Sequence, residues 1–216
     1  MGEQVERAIR EAVAALESGD EVRARAVVAG DAHIDRAEQD IETHCVRVLA
    51  GKGGGPALPG SVLGSRTDQA RSEQAVRLAA AVLKTATDLE RAADHAAGIA
   101  KSALRMGAGE RIRPVVDISR MAELAARTLA DATSAFAAGD MEAARQAAQR
   151  DDAVDALYDQ VFRELITYML DDRTAVRQAT HLLFVASHLE RIGDYATNVA
   201  EWTVFVGTGQ RVELND

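Results

Sequence analysis

Little in this sequence could hold a chain together by covalent or metal–thiolate chemistry. Its single cysteine, Cys45, excludes an intramolecular disulfide and any cysteine-based zinc cluster. Three prolines in 216 residues leave few helix breakers, and 4% aromatic residues leave little of the material of a large β-sheet. Basic residues are the minority. Against 34 Asp and Glu stand 25 Lys and Arg, a net charge of -9, which argues against nucleic acid as a partner because phosphate binding needs a basic face. No apolar run approaches the about 18 residues of a membrane span. The opening Met-Gly-Glu-Gln-Val-Glu does not read as a signal peptide, so the expected compartment is the cytoplasm.

What is present is alanine, about a fifth of the chain, and an internal repeat. Ala15-Leu16-Glu17-Ser18-Gly19-Asp20 finds its partner in Phe136-Ala137-Ala138-Gly139-Asp140, and Asp31-x-x-Ile34-Asp35 in Asp151-x-x-Val154-Asp155, both at an offset of 120. Leu89-Glu90-Arg91-x-x-Asp94 matches Leu189-Glu190-Arg191-x-x-Asp194 at an offset of 100. The difference of 20 falls in residues 51–67, whose six glycines, two prolines and two serines read as a loop. Each copy reads as three helices joined by short turns, and such helices pack antiparallel. The expected fold is therefore all-α, two tandem antiparallel three-helix bundles over residues 1-106 and 115-208. In the second copy the expected helices run from about Asp117 to Ala138, from Asp140 to about Leu170, and from about Thr174 to Val206. Met1 aligns with Met121, so the first helix is expected to lack the stretch equivalent to Asp117–Arg120.

The acidic residues shared by both copies form rows. Glu90 and Asp94, like Glu190 and Asp194, are spaced i, i+4 and lie on one helix face, with Asn198 extending the second row. Asp31 and Asp35 form such a pair on the second helix of the first copy, and Asp151, Asp155 and Asp159 on that of the second. Asp35 stands 15 residues past the cap at Asp20, and Glu90 about 15 residues before its helix ends. Antiparallel packing then brings four carboxylates to one level of each bundle. Oxygen-only ligands at such a site suit hard or borderline cations, Mg, Ca, Mn or iron. The alternative is a solvated acidic face neutralised by Arg36, Arg91 and Arg191. The histidines, Cys45, Tyr195 and Trp202 read as surface, core or interface residues, and no nucleophile–base signature stands out.

The stretch Ser187-His-Leu-Glu190-Arg191-Ile192-Gly193-Asp194-Tyr-Ala-Thr-Asn198-Val-Ala-Glu201 resembles a signature of the PhoU family of phosphate-signalling regulators. Thr87-Asp88-Leu-Glu90-Arg91-Ala-Ala-Asp94 is a looser copy, with Ala92-Ala93 in place of Ile-Gly. The resemblance covers essentially the whole chain. It implies two similar three-helix bundles whose Glu/Asp-x-x-x-Asp motifs bind metal clusters, of iron or zinc and sometimes of magnesium or manganese. The implied ligands are Glu90 and Asp94 in one bundle and Glu190 and Asp194 in the other. Asp31, Asp35, Asp151 and Asp155 are the candidates from the second helices. It further implies a non-enzymatic adaptor that restrains the phosphate-starvation response by contacting the phosphate transporter ATPase and a sensor histidine kinase. Such a protein would meet the membrane only through its partners, and homodimerisation is left open. The competing expectations are a ferritin-like metal-carboxylate oxidase and a regulator of a different transporter. The oxidase usually requires Glu-x-x-His pairs, where this chain has Glu90-x-x-Ala93 and Glu190-x-x-Gly193.

Overall fold

The computed structural model describes residues 1–50, 68–107 and 118–215, and side chains within 68–72 are left undescribed. The glycine-rich stretch and most of the expected join between the copies lie outside these residues. Two turns set the pattern in each half. Gly19 and Gly139 take left-handed backbone angles (φ 72° and 67°), the conformation that ends a helix at lowest cost for glycine. Asp20 and Asp140 follow at once and cap the next helix. Asp20 Oδ1 accepts from the Arg23 amide at 3.0 Å, and Asp140 Oδ1 accepts from the Glu142 and Ala143 amides, also at 3.0 Å.

The first half comprises α1 (Gly2–Ser18), α2 (Glu21–Leu49) and α3 (Asp68–Met106). The second comprises α4 (Ile118–Ala138), α5 (Met141–Ala148), α6 (Asp151–Asp171) and α7 (Val176–Thr208), with a 3-10 turn at Arg173–Ala175 before the last helix. The architecture is all-α, two similar three-helix bundles in tandem, with one departure. The helix expected from Asp140 to Leu170 is interrupted at Gln149 and Arg150. There the Arg150 amide bonds to the Ala147 carbonyl and the Ala153 amide to the Arg150 carbonyl, both at 3.1 Å. These i→i−3 bonds overwind one turn. Arg150 is also tied to Asp131 of α4, so the interruption is fixed from outside the helix.

Within each half the last helix packs on all the others, and the most extensive contact of all is between α3 and α7. The core is continuous across the halves. Val5, Ile9 and Leu16 of α1, Leu89 and Ile99 of α3, Met121 and Leu129 of α4, and Leu189, Ile192 and Val199 of α7 form one buried cluster. Small residues dominate the buried faces of α3, where Ala92, Ala93, Ala96, Ala97, Ala100 and Ala103 are all buried and Gly98 sits against His188 of α7. Alanine composition thus becomes close helix approach, since side-chain size sets the interaxial distance. On the α1–α4 side, Arg10 pairs with Glu123 and Ser119 bonds to Glu17.

Leu189, fully buried, is expected to cost about 2–5 kcal/mol on truncation to Ala. Asp140→Ala should cost about 1 kcal/mol through the lost cap. Urea denaturation of the two variants measures both, and a Leu189→Ala loss no larger than the cap loss would contradict the core assignment.

Candidate metal centres

The antiparallel register places the acidic rows against each other in both bundles. In the first, Asp31, Asp35 and Glu38 of α2 face Glu90 and Asp94 of α3. Burial raises the Asp31 carboxyl above the ordinary carboxylate range, and the charges of Asp94 and Asp35 raise it further. Asp94 lies close enough to share a hydrogen bond with it, while Lys101 pulls the other way. Glu90 is likewise raised, by burial first and then by Asp94, Glu38, Asp35 and Asp31. Glu38 is absent from the sequence-based ligand set. Its signal was its place at i+7 from Asp31 and i+3 from Asp35, but the repeat hides it because position 158 of the second copy is Tyr158.

In the second bundle Asp151, Asp155, Glu190 and Asp194 come together. Burial raises the carboxyls of Asp155, Glu190 and Asp194. Asp194 adds to the shift of both Asp155 and Glu190. Arg191 partly offsets this crowding, lying 3.3 Å from Asp194 and 3.7 Å from Glu190. The neutralising role expected for arginine is thus real in this bundle. In the first bundle Arg36 turns instead to His33, at 2.6 Å. Asp159 stays exposed 3.9 Å from Arg163, whereas Asn198 lies near Asp88 and lines one cavity with Asp151, Asp194 and Thr197.

Asp151 is the deepest of these groups, with 0% exposure. Its Oδ2 accepts from Thr197 Oγ1 at 2.9 Å and from Asn215 Nδ2 at 2.6 Å, whereas its Oδ1 is buried without a partner. A Cβ at position 193 would lie 2.2 Å from that Oδ1, so Gly193 is what admits the carboxylate. The overwound turn at Gln149–Arg150 immediately precedes Asp151. In the first copy Ala93 stands where Gly193 does in the second, α2 runs unbroken, and Asp31 remains half-exposed. Thr197, Asn215 and Gly193 gave no metal-ligand signal in the sequence, because their part is to seat Asp151.

The residues fit a hard cation in donor type, and the orphaned Asp151 oxygen and raised carboxyls mark unrelieved negative charge. Among the described residues, no three His, Cys, Asp or Glu side chains are gathered closely enough to coordinate one ion as they stand. Between the halves, His95 and His188 meet Nδ1 to Nδ1 at 2.8 Å, and His95 lies 5.7 Å from the Tyr195 ring. Burial lowers both imidazoles, His188 to about 4. Sequence spacing offered no sign of this cross-bundle pair, because the two histidines come from different copies and are not repeat partners.

Burial pushes the Asp151 carboxyl up to about 6 from 3.8. The folded state then binds the proton more tightly than the unfolded state, so stability falls as pH rises from about 4 to about 6 and is flat above. The span corresponds to about 3 kcal/mol at most. In chelator, Asp151→Asn should flatten this part of the pH–stability curve and raise the melting temperature at pH 7. An unchanged slope in thermal scans from pH 4 to 7 would contradict the burial of an unrelieved charge at Asp151.

A family model described as the PhoU domain matches residues 1–103 and 118–203. A phosphate-specific transport system accessory protein PhoU homolog of Clostridium acetobutylicum is 35% identical over 217 residues, covering 100% of this chain and 91% of the relative. A homolog of the same description from Caulobacter vibrioides is 36% identical, covering 98% of this chain and 85% of the relative. Among solved structures, the phosphate transport system regulatory protein PhoU of Streptococcus pneumoniae superimposes with a TM-score of 0.82 at 29% identity. That match covers 98% of this chain and 91% of the other. PhoU of Pseudomonas aeruginosa gives 0.83 at 31% identity, covering 97% and 93%.

Proposed function

The chain belongs to the PhoU family, and from that premise we propose that it is a non-catalytic, metal-binding adaptor of phosphate uptake and phosphate-starvation signalling. Its role as an accessory or regulatory protein of a phosphate transport system accords with the relatives' names. The finer reading is that it contacts the transporter ATPase and a sensor histidine kinase from the cytoplasm. The observation that carries the metal-bearing part is the meeting of two carboxylate pairs from antiparallel helices in both bundles. Crowded, partly buried carboxylates are each disfavoured when ionised, and a divalent or iron-type cation offsets that repulsion. Glu90, Asp94, Asp31 and Asp35 would hold ions in the first bundle, with Glu38 beside them. Glu190, Asp194, Asp151 and Asp155 would do so in the second. The ion supplies positive charge that fixes the facing helices, and the chain's own residues present the helical surface around it. Among the described residues no helix is long and apolar enough to cross a membrane, which accords with reaching the membrane through partners.

Asp151 is seated deeper than Asp31, so the second bundle should bind metal more tightly. Titrating manganese or ferrous iron into a Glu190→Ala/Asp194→Ala protein should remove the tighter phase. The Glu90→Ala/Asp94→Ala protein should lose only the weaker one. Equal losses would count against the ranking. For the adaptor reading, a pull-down with the transporter ATPase and the sensor kinase, with and without metal, should retain at least one partner. Failure to retain either under any metal condition would remove its support.

A further inference from the structure

The repeat supplies an internal comparison at the α3–α7 seam. On one side Trp202 fills the space. Its Nε1 donates to Asp88 Oδ2 at 3.1 Å, Phe205 meets its ring edge-on at 5.7 Å, and the Arg211 guanidinium lies 5.0 Å over it. At the offset of 100, Trp202, Phe205 and Asn198 correspond to Ser102, Arg105 and Gly98. The bulky groups are gone, and a cavity of about 650 Å³ stands in their place. That volume suits a small organic ligand rather than a bare ion.

Its lining is cationic in a protein of net charge -9. Arg91, Lys101 and Arg105 all contribute to one face of α3, and none forms an ion pair among the described residues. Arg177 adds a fourth cation at the Arg105 end, where its Nη2 donates to the Arg105 carbonyl at 3.2 Å. The opposing charges nearby are Asp94, toward the other end of the cavity, Asp31, which feels Lys101, Asp88, which feels Arg91, and Asp194, which acts on His95. Ser102 lines the cavity, is only 3% exposed, and its hydroxyl makes no hydrogen bond among the described residues. Lys101, Ser102 and Arg105 lie within about one helical turn and all line the cavity, so an ammonium, a hydroxyl and a guanidinium are available to one ligand. Three such donors suit a tetrahedral anion with several oxygens, whereas a planar carboxylate is satisfied by one guanidinium fork. At the rim stands Phe184, an aromatic ring left 53% exposed near His181. Stacking on such a ring stabilises a bound base.

We propose that this cavity binds an organic phosphate of nucleotide size, its phosphoryl group on Lys101, Ser102 and Arg105 and its aromatic part against Phe184. The site does not depend on the metal or adaptor readings. Isothermal titration of the full chain in chelator, with ATP, AMP, adenosine and inorganic phosphate, tests it. ATP and AMP should bind with Kd below about 1 mM. Adenosine and inorganic phosphate should each bind at least about tenfold more weakly, since each keeps only half of the contacts. Lys101→Gln/Arg105→Gln, at exposed positions, should weaken ATP binding about tenfold or more with helicity unchanged. Ser102→Trp, which rebuilds the plug of the other side, should abolish it. Lys84→Gln, at the position that Phe184 occupies in the other repeat, should leave it intact. Absence of ATP and AMP binding to the unaltered chain would overturn the proposal. So would equal affinity in the folded Lys101→Gln/Arg105→Gln protein, or inorganic phosphate binding as tightly as AMP.

Discussion

The close antiparallel contact of α3 with α7 is the constraint on which the rest of the molecule depends. Each of these helices is the central member of its own bundle and also the bridge to the other, so every other helix is positioned against one of them. Buried alanines on both helices, with Gly98 of α3 against His188 of α7, let two long helices pack on several sides without separating the halves. The same helices carry Glu90, Asp94, Glu190 and Asp194 on faces turned toward α2 and α6. A turn of either helix about its axis would change the core, the seam and the acidic cluster it carries together, because a residue step of about 100° moves all of them. The carboxylates are therefore held by packing that does not involve them.

The two bundles show how one plan diverges under a shared constraint. A single methyl group separates Gly193 from Ala93, and with it goes the depth of the facing aspartate, buried at Asp151 and half-exposed at Asp31. The overwound turn before Asp151 and the hydrogen bonds from Thr197 and Asn215 belong to the same solution. The deeper carboxylate costs the folded protein more when ionised, and what offsets that cost distinguishes the two clusters. Across the seam the divergence takes another form, since one side is closed by an indole and the other stays open and cationic.

Much of the architecture was legible in the sequence because it rests on short-range rules. Glycine followed by aspartate marked both tight turns, and the duplicated Leu-Glu-Arg-x-x-Asp stretch marked α3 and α7 as equivalent helices. The acidic rows were legible because the repeat printed them twice and because equal distances from helix ends fix the level at which antiparallel neighbours meet. The interruption at Gln149–Arg150 was not, since neither residue breaks a helix and the cause lies partly in Asp131 on another helix. Glu38 escaped because it has no counterpart in the second copy. The His95–His188 contact escaped because it joins residues that no periodicity relates.

The indole at the seam also carries an optical consequence. Trp202 is the sole tryptophan of the chain, and it lies against a carboxylate, a second ring and a guanidinium drawn from both halves and the C-terminal segment. Its emission therefore belongs to the junction of the two bundles and to no other part of the protein. Any event that alters how the halves sit on each other, whether started at a metal, a partner or a small anion, is registered by this one native fluorophore.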